Sequence, residues 1–405
     1  MLTYKYIAKN GKTGETVKSS LQAETEQAAA TAIRGLGLTP LSIEAQVEGG
    51  TFKFNRIKTK DKVLFSRQLS TLIDAGLPLV QSLRNVAQQT TNKPLRVVIN
   101  KIITDVEGGK SFSDALSQHP KVFNPVFINL VAASETSGTL DDGLMRLADQ
   151  QEKDSDIISK VRGALIYPVI VLVVMLAVVL FMIIKVLPAV QSIYAGLKGV
   201  KLPLITQILL DISHFVTHFW WLVLLIVGAT VIFGVRWSKT ISGQSAIDRL
   251  KMTMWPIGPL YMKMYMARFS RTGATLVAAG VPLIQMLNIT SEAIDNVHIA
   301  GSLRGATEKV KGGKALSESI ANDPNFLELV PNMLHIGEQS GSTEAMLTKV
   351  ADYYEKEVDN QIKAISTVIE PVMMVLMGII AIIIVAAILL PIYGLVNQSG
   401  FTNSI

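Results

Sequence analysis

The sequence predicts a mainly α-helical integral membrane protein with two homologous cytoplasmic helical-bundle domains, three transmembrane helices and a small N-terminal α+β module. The first observation is composition: 49% of the 405 residues are hydrophobic and only 17% are charged, whereas soluble domains have about 25% charged residues. The second is a duplication at a fixed spacing, and the third is a short alternating segment at the N-terminus. The chain has no cysteine, which excludes disulfides and thiolate metal sites.

The N-terminal residues 1–45 predict a ββαβ module. Residues 4–8 alternate between apolar and polar side chains, Asn10-Gly11 is typical of a tight turn, and residues 24–34 are alanine-rich and helical in pattern. Residues 46–60 contain two adjacent glycines and four basic residues, which favours a flexible linker that lies near anionic membrane lipid.

Three apolar stretches are long enough to cross a bilayer, since about 20 residues of helix span the roughly 30 Å hydrocarbon layer. They lead to predicted transmembrane helices at 164–186, 215–235 and 367–392. Pro168 and Pro371 stand near the entries of the first and third helices, where a missing backbone donor predicts a kink.

The two long polar segments are copies of one another. Phe65-Ser66-Arg67 recurs at 269–271 and the glycine of Ala-Gly-Leu-Pro-Leu recurs as Gly280, both at an offset of 204 residues. After a one-residue deletion, Glu135-Thr136-Ser137-Gly138 matches residues 338–341 at an offset of 203, and the membrane-entry prolines follow the same offset. Each copy includes its following span, so both enter the membrane in the same direction, as a parallel repeat.

Each copy reads as a bundle of short helices. Leucines recur at helical spacing, residues 76–78 break the pattern, Ser111 begins a capped helix, and Ser137-Gly138 forms a turn before the helix that runs into the first span. The remaining predicted boundaries are helical domain 1 at 61–163, an external loop at 187–214, helical domain 2 at 236–366 and an external tail at 393–405.

The formal charge of +6 comes from 38 basic and 32 acidic residues. Basic residues cluster before the first span, after the second and before the third, which predicts a cytoplasmic N-terminus, two cytoplasmic helical domains and an external C-terminal tail. Topology therefore explains the basicity without a nucleic-acid partner. We expect a multi-pass membrane protein.

No motif supports catalysis. Gly109-Lys110-Ser111 resembles the end of a phosphate-binding loop, but that loop requires glycine where the chain has Thr104. The five histidines are dispersed and form no zinc motif. We predict neither a catalytic residue nor a cofactor site.

The two Glu-x-Ser-Gly turns are the most informative polar feature. Glutamate near a helix start is often only a cap or a partner of the helix dipole. The alternative is a docking or hinge surface, with a weaker variant in which Glu135 and Asp141 hold a cation. These interpretations stay open here.

Together these motifs resemble the inner-membrane platform protein family of type IV pilus assembly and type II secretion, also called the type II secretion system protein F or pilus assembly protein C family. The residues that carry the resemblance are Tyr4, Tyr6, Ala8, Gly11, Gly14 and residues 37–41, the duplicated blocks at 65–67 and 75–79, the Gly-Gly-Lys turns, the Glu-x-Ser-Gly turns, and the Tyr167-Pro168 and Glu370-Pro371 entries. Ser134 departs from the pattern, because the second copy has the more usual Gly337 at this position. This difference leaves the exact shape of the first turn open.

The resemblance implies a non-enzymatic scaffold that forms a homo-oligomer, contacts a cytoplasmic hexameric ATPase and other inner-membrane assembly proteins, and lifts pilin or pseudopilin transmembrane helices into a filament. The candidate docking or hinge residues carried over are Glu135, Ser137, Gly138, Glu338, Ser340 and Gly341, with Pro168 and Pro371 at the membrane entries. The main alternative is a membrane transporter or channel component, which would need polar or broken spans.

Overall fold

The computed structural model describes residues 2–10, 16–23, 26–46, 57–186, 188–189 and 204–401. The chain divides into two compact units. The bundle unit comprises Met1–Ile157 and Met264–Glu355, and the span unit comprises Ile158–Lys263 and Lys356–Ile405.

The N-terminal module has the predicted ββαβ order. Strands β1 (Leu2–Asn10) and β2 (Thr16–Ala23) precede helix α1 (Glu26–Gly35) and strand β3 (Leu38–Gln46). Both outer strands pair antiparallel with β1, which gives the sheet order β2-β1-β3. Alternation buries Tyr6 and Ala8 against Ile33 of α1, and Tyr4 against Ala29 of the same helix. The predicted turn at Gly11 and most of the predicted linker, residues 47–56, lie outside the described residues.

The two repeats build the same series of six helices. The first repeat consists of α2 (Thr59–Asp74), α3 (Leu79–Gln89), α4 (Lys93–Glu107), α5 (Phe112–Ser117), α6 (Pro125–Ser137) and α7 (Leu140–Phe181). Helices α8 (Leu204–His218), α9 (Trp220–Trp237) and α10 (Ile241–Thr253) follow. The second repeat consists of α11 (Gly258–Ala278), α12 (Leu283–Ala293), α13 (Val297–Lys311), α14 (Leu316–Ile320), α15 (Leu329–Ser340) and α16 (Thr343–Phe401).

Local chemistry places the helix ends where the sequence predicts them. Helix α2 ends before Gly76, which has φ +81°, and Pro78 opens α3. The hydroxyl of Ser111 accepts a hydrogen bond from the Asp114 amide at 3.1 Å and so caps α5. The Gly-Gly-Lys turn closes α4, where Lys110 pairs with Asp105 at 2.9 Å. In this fold the motif is a helix end.

Three helices among the described residues are long and apolar enough to cross a membrane. They are α7 with its π-helical extension to Val186, α9, and α16. The span unit contains all of α9 and the later parts of α7 and α16. A cavity of about 370 Å³ lies between α7 and α16 and is lined by apolar side chains, among them Val174, Val178, Met377 and Ile380. On the N-terminal side of the two apolar stretches, Lys160 of α7 pairs with Asp359 of α16 at 2.9 Å.

Three boundaries in the span unit differ from expectation. The chain leaves helical geometry at Phe219, with φ −110° and ψ 31°, so the second spanning helix begins at Trp220 and not at 215. Residues 204–214, expected within an external loop, belong to α8. Helix α16 continues past residue 391 to Phe401, since membrane-spanning helices tolerate proline.

Candidate functional site

The carboxylate of Glu135 closes the N-terminus of helix α5. Its Oε1 accepts a hydrogen bond from the Phe112 amide at 2.7 Å, and its Oε2 accepts from the amide and hydroxyl of Ser113 at 3.1 and 2.8 Å. The first amides of a helix have no hydrogen-bond partner within the helix. A negative charge beside them is also stabilised by the positive end of the helix dipole. Glu135 therefore ties α6 to α5.

Glu338 makes the same contacts in the second repeat. Its Oε1 accepts from the Leu316 amide at 2.6 Å, and its Oε2 accepts from the amide and hydroxyl of Ser317 at 3.2 and 2.5 Å. Both glutamates thus take the cap geometry, which was the first of the interpretations that the sequence left open. Asp141, the other cation candidate, is exposed in the first turn of α7, and no cluster of three or more metal-binding side chains occurs among the described residues.

The Ser-Gly turns that follow have one shape in both repeats. Gly138 and Gly341 adopt left-handed φ values of +73° and +68°. The amides of Thr139 and Ser342 return to the carbonyls of Ser134 and Gly337 at 2.9 Å, the bond that closes a glycine-ended helix. Each turn leads within two residues into a long helix, so its geometry sets the direction of the first turn of α7 or α16.

Ser134 does not change the first turn, because a neighbouring glycine makes room for it. A Cβ atom on Gly143 would lie 1.9 Å from the Ser134 hydroxyl. The position that matches Gly143 in the second repeat is Met346, and there Gly337 supplies the space: a Cβ on it would lie 3.2 Å from Met346. At this contact the first repeat has the larger residue, Ser134, on α6 and glycine on α7, whereas the second repeat has glycine on α15 and the larger residue, Met346, on α16.

The proline candidates lie within continuous helices. Pro168 is inside α7 and Pro371 is inside α16, and both belong to the span unit. The candidates at the Glu-x-Ser-Gly turns belong to the bundle unit.

Two matching sets of ion pairs, which we call the arginine clasps, were not predicted from the sequence. In each clasp, an arginine of the first helix of the bundle binds acidic residues of the last helix. Arg67 of α2 pairs with Asp149 at 2.5 Å and with Glu152 at 2.6 Å on α7, and its hydrogen bond lowers the pKa of Glu152. Arg271 of α11 holds Glu355 of α16 in the same way at 2.8 Å. The clasps fasten the first helix of each bundle to its last. The recurrence of this acidic pair at an offset of 203 is the signal that would have identified them.

The two repeats also contact each other within the bundle unit. The buried amide of Gln150 on α7 donates to the hydroxyl of Thr272 on α11 at 2.9 Å. Lys153 reaches Glu355 at 3.0 Å, so the second clasp holds a cation from each repeat. Asp154 lies 3.9 Å from Arg268; burial raises the pKa of Asp154, and Arg268 opposes that rise.

Comparison with known proteins agrees with this duplicated architecture. The family described as "Type II secretion system (T2SS), protein F" matches residues 65–188 and again 269–391, and its N-terminal domain family matches residues 1–44. A type IV pilus assembly protein PilC of Thermus thermophilus is 37% identical over 405 residues, covering 98% of this chain and 99% of the relative. PilC of Pseudomonas aeruginosa is 33% identical, covering 91% and 98%. Type II secretion system protein F of Vibrio cholerae is 31% identical, covering 98% and 99%.

Proposed function

The chain belongs to the type II secretion system protein F family, and from this premise we propose that it couples a cytoplasmic hexameric assembly ATPase to the insertion of pilin or pseudopilin subunits into a filament. It is an inner-membrane platform protein of a bacterium, and relatives serve type IV pilus assembly and type II secretion. In the proposed orientation the N-terminus and both bundles face the cytoplasm and the C-terminal tail faces outward. Its partners are the ATPase, the pilin transmembrane helices, other assembly proteins and further copies of itself.

The observation that supports this proposal is the continuity of two helices. Helix α7 runs unbroken from Leu140 in the first repeat to Phe181 in the first span, and α16 runs from Thr343 to Phe401. A movement of either turn is then carried along a helix into the apolar segment, because the backbone hydrogen bonds of a helix resist bending. The spans themselves offer few polar side chains, which disfavours a transporter.

Breaking α7 between bundle and span tests the coupling. Ser159 is exposed in the middle of α7, and proline there costs about 3 kcal/mol of helix stability. We expect Ser159→Pro to abolish filament assembly or secretion in a deletion strain while the chain still copurifies with the ATPase. Ser159→Ala is the matched control and should behave as wild type. Normal filament assembly by the proline variant would contradict the coupling.

We further propose that the outer faces of the Glu-x-Ser-Gly turns dock the ATPase. Glu135 and Glu338 are engaged inward, whereas Ser137 and Ser340 are exposed. The variants Ser137→Arg and Ser340→Arg leave the caps in place and enlarge the surface. Loss of ATPase binding in one of them would identify the repeat that faces the ATPase, and unchanged binding in both would refute docking at the turns.

A further inference from the structure

One face of helix α7 contacts the second repeat, with Gln150 buried at its centre and the exposed side chains of Arg146 and Lys153 on either side. Arg146, Gln150 and Lys153 occupy this face at intervals of four and three residues, which places them on the same side of a helix. Gln150 is only 8% exposed and donates to Thr272. Arg146 pairs with Glu344 at 3.5 Å, and Lys153 pairs with Glu355. The contact therefore joins a basic stripe of one repeat to an acidic face of the other.

The same stripe recurs on α16 but stays uncovered. At the offset of 203 residues, the matching positions are Lys349, Tyr353 and Lys356, which we call the basic stripe. Tyr353 is 50% exposed although its counterpart Gln150 is buried. Lys349 and Lys356 are exposed, and no ion pair reaches either lysine within the described part of the chain. The duplication has thus retained the pattern of a contact that the second repeat does not make within its own chain.

The complementary acidic face also recurs, on the first repeat. The positions that match Glu344 and Glu355 are Asp141 and Glu152, which we call the acidic face. Asp141 is exposed. Glu152 binds Arg67, whereas its counterpart Glu355 binds both Arg271 and Lys153. The first clasp therefore lacks the second cation that the duplicated geometry accommodates.

We propose that the basic stripe of one chain docks on the acidic face of a second copy of the chain, in the same way that α7 docks on the second repeat within one chain. The occupant is specified by the intrachain contact itself, since both halves of that contact are duplicated and have opposite charge. Because the stripe and the face are different surfaces of the chain, the interface is heterologous. This inference rests on the homo-oligomer of the proposed function, and its cross-linking test involves neither the ATPase nor pilin.

Cross-linking in the full-length chain tests the proposal without background, because the natural sequence has no cysteine. Lys349→Cys and Asp141→Cys variants with different affinity tags are coexpressed and treated in membranes with a short bismaleimide. We expect a product that carries both tags, about ten-fold above either variant alone. The double variant Arg146→Cys/Glu344→Cys in one chain is the positive control, since the structure joins these two residues directly.

The same samples give the results that would overturn the proposal. Copurification of the two tags without a cross-linked product would place the oligomer interface elsewhere and leave the platform role intact. A strong product from Lys349→Cys alone would show a two-fold contact in place of the heterologous one. Failure of the tags to copurify would refute self-association, and a filament assay on the same strain separates that result from a failure of the proposed function.

Charge reversal supplies a second measurement. We expect Lys349→Glu/Lys356→Glu to lower copurification of the two tags by about five-fold or more, because like charges then face each other. Adding Asp141→Lys should restore part of the loss. Lys314→Glu, at an exposed position outside the stripe, is the matched control. An unchanged yield in the reversed variant would contradict the docking.

Discussion

Gly143→Ala should destabilise the first bundle, although the same change in most helices stabilises them by about 1 kcal/mol. The new Cβ would lie 1.9 Å from the Ser134 hydroxyl and 2.6 Å from its Cβ, whereas ordinary contacts begin at 3.4 Å. A rotation of the hydroxyl relieves only the first overlap, so α7 must shift from α6. Overpacking of this kind costs about 3 kcal/mol, which leaves a net loss of about 2 kcal/mol in the free energy of unfolding.

The second repeat provides the matched rescue. Ser134→Gly removes both clashing atoms and reproduces the arrangement of Gly337, so Ser134→Gly/Gly143→Ala should recover most of the loss, with a coupling energy of about 2 kcal/mol. Thermal unfolding of the detergent-solubilised full chain by circular dichroism measures the stability, and hydrogen–deuterium exchange across residues 125–147 locates the change. A Gly143→Ala variant as stable as wild type would refute the close contact. A double variant that stays destabilised would show that Ser134 is not the clashing neighbour.

Three further outcomes follow from the caps and clasps. Glu135→Ala should lower the free energy of unfolding by about 2–3 kcal/mol, because two amides of α5 lose a charged acceptor, and Glu135→Gln should cost less; equal stability of all three proteins in thermal unfolding would contradict the cap. Gly341→Ala should cost about 1 kcal/mol, since alanine is strained at φ +68°, and Gly301→Ala, in open space within a helix, should not. The lowered pKa of Glu152 means that its stabilisation is present above the unfolded carboxyl pKa and is lost as pH falls through the folded pKa; acid titration of Arg67→Met should therefore show a weaker loss of stability below pH about 4.5 than wild type.

Periodicity and turn chemistry predicted most of the fold. The break at Gly76, the cap at Ser111, the turn at Gly138 and the ββαβ module depend on neighbouring residues, and the structure contains each of them. The three apolar helices also follow from composition alone. The break at Phe219 was missed because neither glycine nor proline marks it in the sequence.

The candidate site was predictable in position but not in orientation. Sequence identified Glu135 and Glu338 through duplication, but a glutamate at the end of one helix is equally compatible with an exposed surface or a cap. Only tertiary structure brings α5 and α14 within hydrogen-bond distance of them. The exchange of Ser134 and Gly143 for Gly337 and Met346 is visible in the sequence as two differences nine residues apart, but it has meaning only once α6 and α7 are in contact.

Helix α9 has no counterpart in either repeat, and a parity argument explains its presence. Two copies of a unit that each cross a bilayer once in the same direction cannot be joined in one chain unless the polypeptide returns between them. One extra crossing is the smallest return, so three spanning helices are the minimum for a parallel duplication of this unit. Helix α9 is therefore not part of the repeat, and its role in the chain is to return the polypeptide across the bilayer. A chain with only one repeat and its own span would need no such return, and two copies of it would have to associate as separate molecules.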